Sequence, residues 1–308
     1  MFRSTTRIGV LAIIAATACA PAAGALTPAP PTPGGLTPTP VPVPILNPCA
    51  LVLPGANVIV GNDQPNVLVG GAGDDVIDAR GGNDRIDGGG GNDLICAGDD
   101  DDVVRAGPGA DVVYLGEGDD SARGEEDDDV LEGEEGDDRL RGGAGDDDIG
   151  GAVGDDKIDA GEGNDNSHAG QGDDISRGGG GNDAMHGDIG NDVVEGGAGD
   201  DRGVFGDDGE DRVRGNAGND HLHGGAERDK LVGGDGNDHL DGDDGDDVLV
   251  GSLGNDFLDG KDDDDDLLGG AGDDVELLGG EGDDRLDGGS GTELLCDGGN
   301  GVNDVRNC

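Results

Sequence analysis

One aspartate recurs every nine residues along most of this chain: Asp75, Asp84, Asp93, Asp102, Asp111, Asp120, Asp129, Asp138, Asp147, Asp156, Asp165, Asp174, Asp183, Asp192 and Asp201. After a one-residue step the series resumes as Asp211, Asp220, Asp229, Asp238, Asp247, Asp256, Asp265 and Asp274, and after a second step it ends at Asp284, with Glu293 in the corresponding place of the last repeat. Carboxylates at fixed spacing offer acid–base chemistry or oxygen ligands for hard cations. Acid–base work needs two carboxylates made unlike by their surroundings. Two dozen equivalent ones suit ion binding instead.

The frame around each aspartate says which elements must position it. Glycine stands two residues before it, lost only at Asp100, Asp127, Glu227 and Asp263, and an aliphatic residue such as Ile77, Ile95, Val113, Leu140, Leu222 or Leu258 usually stands two after. Glycine permits a tight turn with positive φ. The residues after the aspartate form a short strand with one side chain inward. Two nonads then make an 18-residue coil of two turns and two strands, and stacked coils give two parallel sheets back to back. The frame runs unbroken over 62–205, with Gly206 read as an extra residue, then over 207–278, with Gly279 as a second, and ends at Asp297. The inward position is polar or small at Ala122, Ser167, Ser176, Gly203 and Glu276. Ser167 and Ser176 fall in successive nonads, so their coil is expected to be the weakest.

Stacking brings the aspartates into ladders about 4.8 Å apart, one strand spacing, where like charges repel unless a cation lies between them. Calcium accepts six to eight carboxylate and carbonyl oxygens in the irregular geometry of a turn more readily than magnesium does. Composition makes the same demand. Seventy-two acidic residues against 18 basic ones leave a net charge of −54, with no Trp, one Tyr and three Phe. Such a chain is disordered or includes positive ions in its fold, and doubly charged ions at two dozen sites would offset most of the excess. The scarcity of Lys and Arg argues against nucleic acid and against direct electrostatic binding to anionic membranes.

The nonad resembles the repeats-in-toxin (RTX, haemolysin-type) calcium-binding family, whose Gly-Gly-x-Gly-x-Asp-x-aliphatic-x unit is a known calcium-binding β-helix repeat. The resemblance spans 62–297. It implies an all-β parallel β-roll, a solenoid of about 26 nonapeptide repeats, that folds on binding calcium. It also implies that the ligands are the repeated aspartates and the carbonyls of the preceding hexapeptide, for example 70–75.

The N-terminus reads as a secretion signal over 1–25, with Arg3 and Arg7 before an apolar run from Gly9 to Ala18 and a small-x-small site at Ala23-Gly24-Ala25. Alternatively the signal ends before Cys19, which would be lipidated. Residues 26–54 hold a Pro-rich spacer, extended as polyproline II or a disordered tail. The repeat domain is read over 55–297 and a C-terminal cap or tail over 298–308. In an oxidising compartment Cys49, Cys96, Cys296 and Cys308 are expected to form disulfides. Of three connectivities, Cys49 with Cys96 and Cys296 with Cys308 would clamp the two ends of the array.

Other chemistry finds no support in the residues. His221-Leu222-His223 projects two imidazoles outward but lacks a third zinc ligand. Metalloprotease, phosphate-loop and nucleophile-elbow motifs do not occur. The expectation is an exported, non-catalytic calcium-binding protein, structural or surface-associated, secreted or held at the surface as a lipoprotein. The alternatives are a calcium-dependent adhesin with a cell-wall or host-surface partner, and an RTX-type polysaccharide-modifying enzyme.

Overall fold

The computed structural model describes residues 48–50, 55–292 and 295–308. The signal segment, Cys19, most of the Pro-rich spacer and Glu293 lie outside them. Pro48–Ala50 form a short 3-10 turn in a unit that ends at Val52. The second unit, 53–308, is a parallel β-solenoid.

Twenty-eight described strands, from β1 (Asn57–Val60) to β28 (Asp304–Arg306), alternate between two sheets of 14 strands each. Odd-numbered strands make the first sheet and even-numbered strands the second. Each strand pairs in parallel with the strand one coil away, so Ile59 faces Ile77 and Leu140 of β10 (Arg139–Ala144) faces Ile158 of β12 (Lys157–Glu162), 18 residues on. From the fifth strand onward most strands are six residues long. That exceeds a strand confined to the residues just after the aspartate, because the ladder continues through the first half of the next glycine-rich segment.

The turn behaves as its glycines require, including where they are missing. Gly145 has φ of 141°, and at the positions that lost glycine Asp100, Asp127, Glu227 and Asp263 have φ between 75° and 77°. Aspartate tolerates this left-handed region better than most residues. Glu227 has no such excuse.

The inward residues form a single file down the axis. From Ile77 to Ala169 they make one buried apolar cluster, and from Met185 to Leu286 another. The gap between them is the coil of Ser167 and Ser176, both buried, whose hydroxyls are 2.9 Å apart. Ser167 Oγ also lies 3.2 Å from Met185 Sδ. The expected weak coil is therefore a polar layer with its hydroxyls paired across the two sheets.

Two inward positions differ from the sequence frame. Val204, not Gly203, pairs with Met185, and Leu277, not Glu276, pairs with Leu258; both are fully buried. The extra residues are absorbed right after Asp201 and Asp274, before the strands β17 (Gly203–Asp208) and β25 (Glu276–Glu281), rather than at Gly206 and Gly279. The reason is local. Gly206 and Gly279 lie against the carboxylates of Asp211 and Asp284, where an added Cβ would stand 2.4 Å from Oδ2. Sliding the slack to the start of the strand keeps those contacts and puts an aliphatic side chain inward.

Cys296 and Cys308 form a disulfide across the last coil. Cys49 and Cys96 are each in a disulfide as well.

Candidate calcium-binding ladders

All 24 repeated aspartates, Asp75 to Asp284, are 3% exposed or less. They stand in two files, one per turn. In each file the backbone N–H of one aspartate donates to Oδ1 of the next: Asp75 to Asp93 at 2.9 Å, Asp93 to Asp111 at 2.7 Å, Asp138 to Asp156 at 2.8 Å. Each residue fixes its neighbour's rotamer, and the bond is kept across the one-residue step, as from Asp192 to Asp211 at 2.7 Å. The carboxylates therefore do not face one another across a gap, as repulsion alone would suggest. Each spends one oxygen on the adjacent coil.

The other oxygen is the notable one. From Asp84 to Asp265, and again at Asp284, Oδ2 is buried and accepts no hydrogen bond, a costly state for a charged atom. It lies against the glycine five residues earlier. A Cβ on Gly124 would stand 2.0 Å from Asp129 Oδ2 and 2.8 Å from the Gly142 carbonyl oxygen of the next coil, and one on Gly133 2.3 Å from Asp138 Oδ2 and 2.6 Å from the Gly151 carbonyl. Carboxylate and main-chain oxygens thus converge with no hydrogen between them. Ala79, Ala97, Ala106, Leu115, Ala160 and Ala169 replace this glycine before Asp84, Asp102, Asp111, Asp120, Asp165 and Asp174.

Burial dominates the acid–base behaviour. It pushes Asp111, Asp129, Asp229 and Asp265 up to about 8 and Asp93 to about 6, against the lowering effect of the backbone N–H, with further raising from charged neighbours such as the next aspartate in the file. Each such carboxylate calls for a proton or a cation. The donors on offer are hard oxygens, which suits calcium. Among the described residues no three carboxylate, imidazole or thiolate side chains converge on one point, so main-chain carbonyls would have to complete any coordination shell.

One file ends in amides. Asn66 N–H donates to Asp84 Oδ1 at 2.6 Å, and Asp284 N–H donates to Asn303 Oδ1 at 2.8 Å. Asn303 carries Nδ2 where the others carry Oδ2, and that nitrogen donates to the Gly298 carbonyl at 2.6 Å. The amide supplies the positive partner that the carboxylates lack.

Sequence reasoning missed a second set of ladders on the solvent side. The residue just before each repeated aspartate is Asp or Asn, except at Ala110, Glu210 and Arg228. Its Oδ1 accepts the backbone N–H of its counterpart one coil later, as from Asp146 to Asp128 at 2.9 Å and from Asn237 to Asn219 at 3.0 Å. That near-uniform pair of residue types was the available signal. The histidines also proved ordered: His168, His186, Phe205 and His223 stack along the outer face of the first sheet with ring centroids 4.5 to 4.8 Å apart.

A parallel β-solenoid with a cation-demanding aspartate at every turn defines a calcium-binding β-roll. The model of the RTX calcium-binding nonapeptide repeat (four copies) matches in overlapping stretches that together span residues 60–202 and 205–292, and the chain belongs to that family. No curated protein matches it. Among solved structures, a hyperactive, Ca2+-dependent, β-helical antifreeze protein from an Antarctic bacterium is similar over 83% of this chain and 85% of that one, with 17% identity and a TM-score of 0.39.

Proposed function

We propose that this is an exported, non-catalytic calcium-binding protein that folds into its β-roll on taking up calcium and serves as a structural or surface-associated element. The observation that carries the reading is the buried, hydrogen-bond-free Oδ2 repeated through the array beside a glycine carbonyl. Asp75 to Asp284 at the repeat position, with the carbonyls of the hexapeptide before each, are the proposed ligands. A cation supplied outside the cell would then decide where the chain folds, since millimolar extracellular calcium suits sites with dissociation constants of order 10⁻⁴ to 10⁻³ M. The disulfide-bonded Cys49, Cys96, Cys296 and Cys308 fit the same compartment. The residues of 1–25 read as an export signal, and Cys19 as a lipidation site if the protein is surface-anchored. Equivalence of the carboxylates argues against a catalytic pair.

The test is far-UV circular dichroism of the protein during a calcium titration, with magnesium in parallel. A disordered spectrum that converts cooperatively to β-structure with calcium alone is expected. A chain already folded in chelator at neutral pH, or still disordered in millimolar calcium, would remove the aspartate files as folding ligands.

A further inference from the structure

The net charge is −54, yet the few cations are sorted. Twelve of the 18 lysines and arginines lie in strands of the second sheet, all exposed, whereas the described strands of the first sheet hold only Lys261. Across the eight second-sheet strands from β6 (Val103–Pro108) to β20 (Lys230–Asp235) the first and third residues point outward. Those sixteen positions carry nine cations against two carboxylates, Asp159 and Glu195.

Register gathers them further. Arg123 of β8 (Ser121–Glu126) is the cross-strand neighbour of Arg141, and Arg139 is that of Lys157. These four make a block on three adjacent strands, and Arg212, Arg214 and Lys230 make a second. Like charges directly opposite destabilise a sheet, so folding gives no reason to place them so. Local acids answer only part of the charge: Arg141 lies 3.5 Å from Asp159, and Arg214 2.7 Å from Glu195. Arg123, Arg139, Lys157, Arg212 and Lys230 have no carboxylate at ion-pair distance among the described residues.

We propose that the outward face of the second sheet is a docking surface for a linear acidic polysaccharide, lying along the stack with its carboxylates or sulfates on the arginine rows. The rows repeat at about 4.8 Å, one strand spacing, which is roughly the length of one sugar unit. Guanidinium groups present forks that match carboxylate and sulfate oxygens. Single-stranded nucleic acid would want aromatic side chains to stack on, and every histidine, Tyr114, Phe205 and Phe257 lie in strands of the first sheet instead. The acidic files do not veto an anion here. The repeated aspartates are buried in the turns, the solvent-side ladders lie in the turns outside the strands of this face, and charge beyond about 8 Å is screened at physiological salt.

The experiment uses the full chain in calcium, with heparin and hyaluronan as the sulfate-bearing and carboxylate-bearing probes, neutral dextran as the blank and oligothymidine as the rival polyanion. Binding to one or both acidic glycans and not to dextran is expected, with the two arms telling sulfate from carboxylate. R139Q/R141Q should bind about tenfold more weakly and lower the slope of log K against log salt by about two, one for each cation removed. The charge-matched R202Q/R228Q, outside the second sheet, should change neither, and circular dichroism in calcium should be the same for all three proteins. No binding to either glycan at low salt, equal loss in both variants, undiminished binding by R139Q/R141Q, or preference for oligothymidine would each overturn the proposal.

Discussion

At the scale of single residues, the difference between Asp129 and Asn303 is one atom. Asn303 gives its Nδ2 hydrogen to a glycine carbonyl, while Asp129 turns a bare oxygen toward Gly124 and the Gly142 carbonyl. Asp129→Asn should therefore fold in less calcium than the parent and bind fewer ions, read by circular dichroism and by titration calorimetry. Asp129→Ala, which also removes the acceptor for the Asp111 N–H, should lose about 1–3 kcal/mol. Protons can do part of the work of cations. Burial raises the folded-state values of Asp93, Asp102, Asp129 and Asp265 to about 6 to 8, from 3.8, so their protonation favours the folded form. That stabilisation is complete below about pH 4 and is lost as pH rises to about 8. In chelator the chain should thus gain β-structure on acidification from pH 8 to 4, whereas calcium affinity should fall over the same range because protons compete for the same oxygens. A calcium-free spectrum indifferent to pH would contradict the first statement, and a calcium affinity indifferent to pH the second.

At the scale of strands and turns, the fold depends on a file of aliphatic side chains and a file of left-handed turns. The polar layer of Ser167 and Ser176 interrupts the first. S167V/S176V should raise the calcium-loaded melting temperature, because each site then matches its apolar neighbours above and below, Ile149 and Met185 for one and Ile158 and Val194 for the other, and gains about 1–2 kcal/mol of burial. Ser176→Val alone should do less, since it leaves the Ser167 hydroxyl only Met185 Sδ. At the turns, Glu227 sits at φ 76° where most repeats have glycine. Glu227→Gly should stabilise by about 1 kcal/mol in thermal unfolding. Most of this level was legible in the sequence, because a nine-residue period fixes turn, strand and inward side chain together. The two one-residue slips were not. Gly206 and Gly279 look like surplus when the frame is counted from the aspartates, and only their contact with Asp211 and Asp284 Oδ2 shows that the slack belongs elsewhere. The rotamer of the aspartates was equally hidden, since spacing cannot say that Oδ1 answers a backbone N–H and leaves Oδ2 bare.

At the scale of the molecule, each coil touches only its neighbours, so stability is a sum of like steps. The break in the apolar file makes two blocks, 77–169 and 185–286. In subsaturating calcium, hydrogen exchange should show these blocks protected to different degrees, with the change falling near Ser167 and Ser176; uniform protection end to end would count against that division. The basic face was out of reach of composition, because 18 cations in 308 residues look negligible until register puts twelve of them in one sheet. A stack of identical steps also poses a question that few folds face, which is how it knows where to stop. In the file that runs from Asn66 through the aspartates to Asn303, both terminal rungs are neutral and settle their own hydrogen bonds. Along that file an ion finds no carboxylate to bridge at either end. Two amides thus act as the full stops of a monotonous sentence, and this row of sites closes on itself instead of reaching for a neighbour.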